Sequence, residues 1–306
     1  MADIAASVLA QLKNKAAESG RSYQLSLQLF CQEEFLRRLQ KSKYADNFVL
    51  KGGLLIYSIT NFDSRVTVDV DFLLKRMPNT PEKLRDVLEE IIATSVGNEF
   101  VNFEIRDVSP ISVKKKYAGI SASLVAKIKN TKTPFSIDFG VGDVIVPKQE
   151  KRRIPTQLSD FCAPLVNTYS VETIIAEKID AILDLMEFSS RMKDYYDIYY
   201  LANRFDFDGK ILSEALEKTF KNREHNFSIE QFNQVMGFHE DELMKKKWKA
   251  FIRKTNIKVD EYSIVLGIIR KFLKNPFVAA VEHEKFNARW CSAKGEWIYR
   301  EESYGE

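Results

Sequence analysis

Apolar residues recur at helical spacing over residues 4–18 and again over 25–40, which predicts two amphipathic helices at the start of the chain. "NFVL" (47–50) then reads as a strand, and the apolar run after Gly52 and Gly53 predicts a short helix over 54–59. A polar turn over 61–64 leads into a β-branched strand over 66–74. Thr80 followed by Pro81 is an N-cap with a first-turn proline, opening a helix through "EKLRDVLEEIIATSV". Three more strands are expected in "FVNFEIRDVSPIS", "ISASLVAKI" and "PFSIDFGVGDVIV". From about Ser170 the period changes, and six segments in succession are helical, one opened by a Ser228/Gln231 capping box.

This order lacks a regular βαβ rhythm. It predicts an α+β domain, a mixed sheet with helices on one face, followed by an all-helical domain. The basic loop "KQEKRRIP" (148–155) is the expected boundary, dividing the chain into residues 1–155 and 156–306.

The feature that breaks the pattern is a pair of acids inside the strand over 66–74. Asp69 and Asp71 are two apart, so in a strand they share a face about 6.5 Å apart along the chain. Two like charges that close are costly unless a cation joins them. Oxygen-only ligands suit Mg²⁺ or Mn²⁺, which is held by one or two carboxylates together with substrate phosphates. Asp138, between Ile137 and Phe139 on a later strand, is a third candidate ligand. Gly52 and Gly53 allow a close backbone approach to an anion at a helix N-terminus. Together these residues predict a site where a metal-bound triphosphate is attacked in line. The bland alternative is a pair of solvated edge-strand acids.

Composition narrows the setting. The chain has 306 residues, enough for two domains, and 45% hydrophobic with 29% charged residues is an ordinary globular balance. A net charge of +3 confines any nucleic-acid role to local patches. Cys31, Cys162 and Cys291 are scattered, there is no signal-peptide pattern, and no run approaches the roughly 20 apolar residues that span a bilayer. A cytoplasmic protein without membrane contact is expected.

Basic clusters occur at Lys114 to Lys116 with Tyr117, at Lys151 to Arg153, and in "MKKKWKAFIRK". In the last, Trp248 and Phe251 interleave with Lys245, Lys246, Lys247, Lys249 and Arg253, a pattern that fits RNA phosphates with base stacking. A solvated helix face with its aromatics packed inward has the same spacing. The three histidines are scattered and "DYYDIYYL" reads as core.

Lys51-Gly52-Gly53 followed by Arg65-x-Thr67-x-Asp69-x-Asp71-Phe72 resembles the signature of the AbiEii/AbiGii nucleotidyltransferase toxins, within the DNA polymerase β-like nucleotidyltransferase superfamily. Glu177-Lys178-Ile179-x-Ala181 and Arg191-x-Lys193-Asp194-x-Tyr196-Asp197 continue the resemblance, which covers about residues 25 to 205. It implies an enzyme that transfers NMP from an NTP to an acceptor hydroxyl and releases pyrophosphate. In that enzyme Asp69, Asp71 and Asp138 hold the metal, and Lys51, Gly52, Gly53, Arg65 and Thr67 bind the nucleotide. Lys178 meets the triphosphate and Asp194 orients or deprotonates the acceptor. The resemblance further implies the toxin of a toxin–antitoxin or phage-exclusion pair, with an antitoxin partner and an RNA acceptor, in some members the tRNA 3′ end. One departure stands out: Leu54 occupies a position that usually carries a hydroxyl. A binding module kept on the same fold, and an enzyme that modifies a protein hydroxyl, are the alternatives.

Overall fold

The structure, a computed structural model, describes residues 3–111 and 119–299. The chain divides into two compact units, residues 1–143 with 149–169, and residues 144–148 with 170–306. The division falls after Tyr169 rather than at 155, because the basic loop over 148–155 contains a strand of the first unit's sheet.

The first unit opens with helices α1 (Ile4–Ser19) and α2 (Tyr23–Lys41), whose N-caps Asp3 and Ser22 accept the N–H groups of Ala6 and Leu25. There follow β1 (Phe48–Lys51), α3 (Gly52–Ile59), β2 (Val70–Leu74), α4 (Pro81–Ala93), β3 (Val101–Pro110), β4 (Ile120–Ile128), β5 (Thr131–Gly140), β6 (Glu150–Arg153) and β7 (Leu165–Thr168). The described strands make one sheet in the order β3-β4-β5-β2-β1-β7-β6. Strand β2 runs antiparallel to β1 and parallel to β5.

One face of this sheet carries Phe48, Leu50, Phe72, Ile137, Phe139, Ala122 and Leu124, all buried. Phe72 meets Phe48 edge-on at 5.4 Å and lies parallel to Phe139 at 6.2 Å. Each buried aromatic contributes on the order of 2 kcal/mol from apolar burial. The period of two therefore sends Asp71 and Asp138 to the opposite face, which explains how acids fit inside an apolar run.

The second unit contains α5 (Val171–Leu185), α6 (Met192–Arg204), β8 (Phe207–Asp208), α7 (Gly209–Asn222), α8 (Ile229–Met236), α9 (Glu242–Thr255), α10 (Tyr262–Glu282), β9 (Ala288–Cys291) and β10 (Glu296–Tyr299). The Ser228/Gln231 capping box forms as expected. The unit is mostly helical, yet β8, β9 and β10 pair into a small sheet. Its hairpin closes on Gly295 at φ 60°, and Trp297 lies parallel to Phe272 at 5.9 Å while its indole N–H donates to the Phe272 carbonyl. Among the described residues no helix is long and apolar enough to cross a membrane.

Candidate active site

Four side chains lie in one row across four strands. Lys51 on β1 is the register partner of Asp71 on β2, Asp71 of Asp138 on β5, and Asp138 of Ser121 on β4. Directly opposed residues share a face, so this row sits on the open side of the sheet. The Ser121 hydroxyl donates to Asp138 Oδ1 at 2.7 Å, and Asp71 and Asp138 are both half-buried. Asp69 falls one residue before β2 begins and is exposed.

The two glycines make room for side chains of this same site. Gly52 has φ +70°, and a Cβ there would lie 2.0 Å from Asp71 Oδ2. A Cβ on Gly53 would lie 2.8 Å from the Thr67 hydroxyl oxygen. The Asp71 carboxylate is thus seated at the first turn of α3, where the helix dipole favours negative charge. The sequence pointed to these glycines as a cradle for phosphate; part of the space they open belongs to Asp71 and Thr67.

Lys51 ion-pairs with Asp143 at 2.7 Å, and its ammonium lies 3.4 Å from the Tyr169 hydroxyl and 5.2 Å from that ring's centroid. Asp143, Tyr169 and Ser121 escaped the sequence reading. "GVGD" after the third acid was the available signal for Asp143, whereas Ser121 and Tyr169 depend on strand register. Arg65 and Thr67 are buried, so neither is a solvent-facing turn residue. Leu54 is 4% exposed and belongs to the core, which accounts for an apolar residue at that position.

The donor chemistry at this row fits a hard divalent cation. Asp71 and Asp138 offer carboxylate oxygens on one face, and Asp69 precedes Asp71 by two residues. The expectation of three carboxylates already gathered around one ion is not met: among the described residues no three acidic, histidine or cysteine side chains form such a set. The cause is the start of β2 at Val70, which leaves Asp69 outside the sheet register. A divalent ion bound here would need substrate oxygens to complete its shell, the usual habit of Mg²⁺.

In the second unit the structure joins two of the predicted residues. Lys178 on α5 pairs with Asp194 at 2.7 Å and with Asp197 at 2.7 Å, both on α6. Arg191 pairs with the other oxygen of Asp194. Burial works against the Lys178 ammonium, but the Asp197 and Asp194 carboxylates outweigh it and hold its pKa above the ordinary value. Burial likewise opposes the Asp194 carboxylate, and Lys178 and Arg191 together hold it below the usual range. Two expectations change. Asp194 is fully buried with both oxygens engaged, which suits an anchor for two cations and not a base for an acceptor hydroxyl. Lys178 is also buried and already neutralised, while the Arg191 side chain is 44% exposed.

The basic helix α9 needs a correction too. Trp248 is 2% exposed, stacks against Tyr262 at 5.3 Å with the rings inclined by 30°, and donates its indole N–H to the Asp260 carbonyl. Its ring is core and not a stacking platform. Lys245 pairs with Glu242, and Lys247 donates to the Glu187 and Ser189 carbonyls. Lys246, Lys249 and Arg253 remain exposed, at spacings that align them along one side of the helix. The cluster Lys114 to Lys116 with Tyr117 lies outside the described residues.

Comparison with known proteins places the chain in a family. The family model "Nucleotidyl transferase AbiEii toxin, Type IV TA system" matches residues 34–272. No curated protein sequence matches the chain significantly. Among solved structures, the nucleotidyltransferase toxin MenT4 from Mycobacterium tuberculosis is 15% identical, with TM-score 0.55 over 91% of this chain and 99% of its own. A putative nucleotidyltransferase from H. pylori is 15% identical with TM-score 0.48, over 83% of this chain and 98% of its own. JHP933 from Helicobacter pylori is 16% identical with TM-score 0.47, over 83% and 95%. The match to the family model spans well over half of the sequence and contains both the acidic row and the Lys178 cluster: the chain belongs to the AbiEii nucleotidyltransferase toxin family.

Proposed function

We propose that this nucleotidyltransferase toxin moves a nucleoside monophosphate from an NTP onto a hydroxyl of an RNA acceptor, with tRNA the first acceptor to test, and that a cognate antitoxin restrains it. The observation that carries this reading is the Asp71–Asp138 register pair with Gly52 packed against the Asp71 carboxylate. Mg²⁺ or Mn²⁺ held by Asp71 and Asp69 would neutralise phosphate charge and orient the α-phosphate.

The remaining roles fall to the chain's own groups. The N–H groups at the start of α3 and the Lys51 ammonium supply positive potential for the triphosphate tail, with Asp143 and Tyr169 fixing the lysine. Asp138 uses one oxygen for Ser121, and among the described residues its other oxygen has no hydrogen-bond donor. That oxygen takes the acceptor's proton. Arg191, exposed and anchored by Asp194, gives the second unit a cation for an RNA phosphate. Lys246, Lys249 and Arg253 give α9 a sequence-independent hold on an RNA backbone.

The test is incubation of the full chain with α-³²P-labelled NTPs, bulk tRNA and Mg²⁺. Label on RNA, lost with Asp71→Asn and strongly reduced with Asp138→Asn, is the expected result. Transfer undiminished in Asp71→Asn contradicts the reading, and label on a protein band moves the acceptor to a protein hydroxyl.

A further inference from the structure

The open face of the sheet holds a second row one step from the first. Ser123 on β4 is the register partner of Ser136 on β5, each two residues from the Ser121–Asp138 pair. Asp69 would complete that row if β2 began one residue earlier, since Val70 already pairs with Ile137. Around these three side chains the structure has a cavity of about 320 Å³, also lined by Gln28, Val68 and Arg106. That volume is at the lower end of those that hold small ligands. Its walls combine two hydroxyls, a carboxylate, an amide and a guanidinium with the half-exposed Val68, a mixture suited to a polyhydroxylated, phosphate-flanked group.

We infer that this cavity is the acceptor subsite and takes the nucleoside at the end of the RNA whose hydroxyl attacks. The inference rests on the proposed function and adds to it where the second substrate binds. In an in-line displacement the nucleophile enters opposite the leaving group. Pyrophosphate departs on the side of α3, Lys51 and Asp143, beyond Asp71 in the row. The attacking hydroxyl must then arrive across Asp138, from the β4–β5 side, where the cavity lies. As the bond from the acceptor oxygen to the α-phosphorus forms, the bond from that phosphorus to the bridging oxygen breaks. Pyrophosphate leaves with the electron pair, and the hydroxyl proton goes to Asp138. Ser123 and Ser136 offer hydrogen bonds to ribose hydroxyls. Arg106 meets the preceding phosphate, its surface pair with Glu104 being weak enough to exchange.

The test separates the two substrates. Ser136 is exposed, so Ser136→Leu occupies the cavity without entering the core, and Arg106→Gln removes the cation while keeping a polar side chain at an exposed position. With bulk tRNA and labelled NTP, each variant is expected to raise KM for tRNA by about tenfold while KM for NTP stays within about twofold of wild type. A raised KM for NTP with KM for tRNA unchanged assigns the cavity to the nucleotide and overturns the inference. Unchanged values for both overturn it as well, and leave the transferase reading standing. A wild-type chain that labels no RNA defeats the parent reading and this one together.

Discussion

Gly52 and Asp71 are in contact across the β1–β2 pair so closely that a methyl group on residue 52 would overlap the Asp71 carboxylate, at 2.0 Å from Oδ2. The glycine is therefore required twice, by its positive φ and by the acid beside it. Gly52→Ala is expected to displace Asp71 and lower turnover by at least about 100-fold, since a shift of about 1 Å at a reacting centre has that cost. The backbone strain adds on the order of 1 kcal/mol of destabilisation. Steady-state kinetics at saturating NTP checks this, and activity within a few-fold of wild type contradicts it.

Lys178 stands between two buried carboxylates, so its removal differs from removal of a surface lysine. Lys178→Met leaves Asp194 with Arg191 and Asp197 without this cation, and should cost about 3–5 kcal/mol. Thermal or urea denaturation measures it. A loss under about 1 kcal/mol, the range of exposed pairs, shows that the cluster is not buried in solution.

Glu33 makes stability depend on pH with a sign opposite to that of most acids. Burial on α2 pushes its carboxyl from the ordinary 4.5 up to about 7, against the pull of Arg37 and the Gln157 N–H. In the folded state it keeps a proton that the unfolded chain has released. Its contribution is therefore full below pH 4.5 and is lost as pH rises to about 7, a fall on the order of 3 kcal/mol. Urea titrations at pH 5 and pH 8 should show wild type losing more stability across that interval than Glu33→Gln. Equal losses contradict it.

On α9 the aromatic and the cations separate by role. Trp248→Ala removes a core ring and is expected to destabilise by about 3–5 kcal/mol. Replacing Lys246, Lys249 and Arg253 together by alanine should leave stability nearly unchanged, within about 0.5 kcal/mol per site, while reducing tRNA retention and its salt dependence. Filter binding at several salt concentrations reads the second effect. An unchanged salt slope removes α9 from the RNA interface.

Much of this was legible in the chain because two periods were clear. The spacing of two that put Asp71 opposite the Phe72 face also fixed the open side of the sheet, and the spacing of 3.6 located the helices. Strand register was not legible, since it depends on which strands pair. That Asp138 sits beside Asp71, and Ser121 beside Asp138, required the parallel β2–β5 and antiparallel β4–β5 ladders. Burial misled in both directions. Trp248 among lysines looked like a platform and is core, and Asp194 looked like a base and is locked between Lys178 and Arg191. The β9–β10 hairpin was missed because its apolar runs are short and depend on Phe272 for packing.

The most direct test of the central claim is electron paramagnetic resonance of Mn²⁺ titrated into the full chain with a nucleotide analogue that cannot release pyrophosphate. With Asp71 gripping the ion and the phosphates completing its shell, wild type should bind Mn²⁺ tightly only when the analogue is present, and Asp71→Asn should leave the ion in the free signal. Equal Mn²⁺ binding by both chains, or binding indifferent to the nucleotide, would show that the acidic row serves some other purpose.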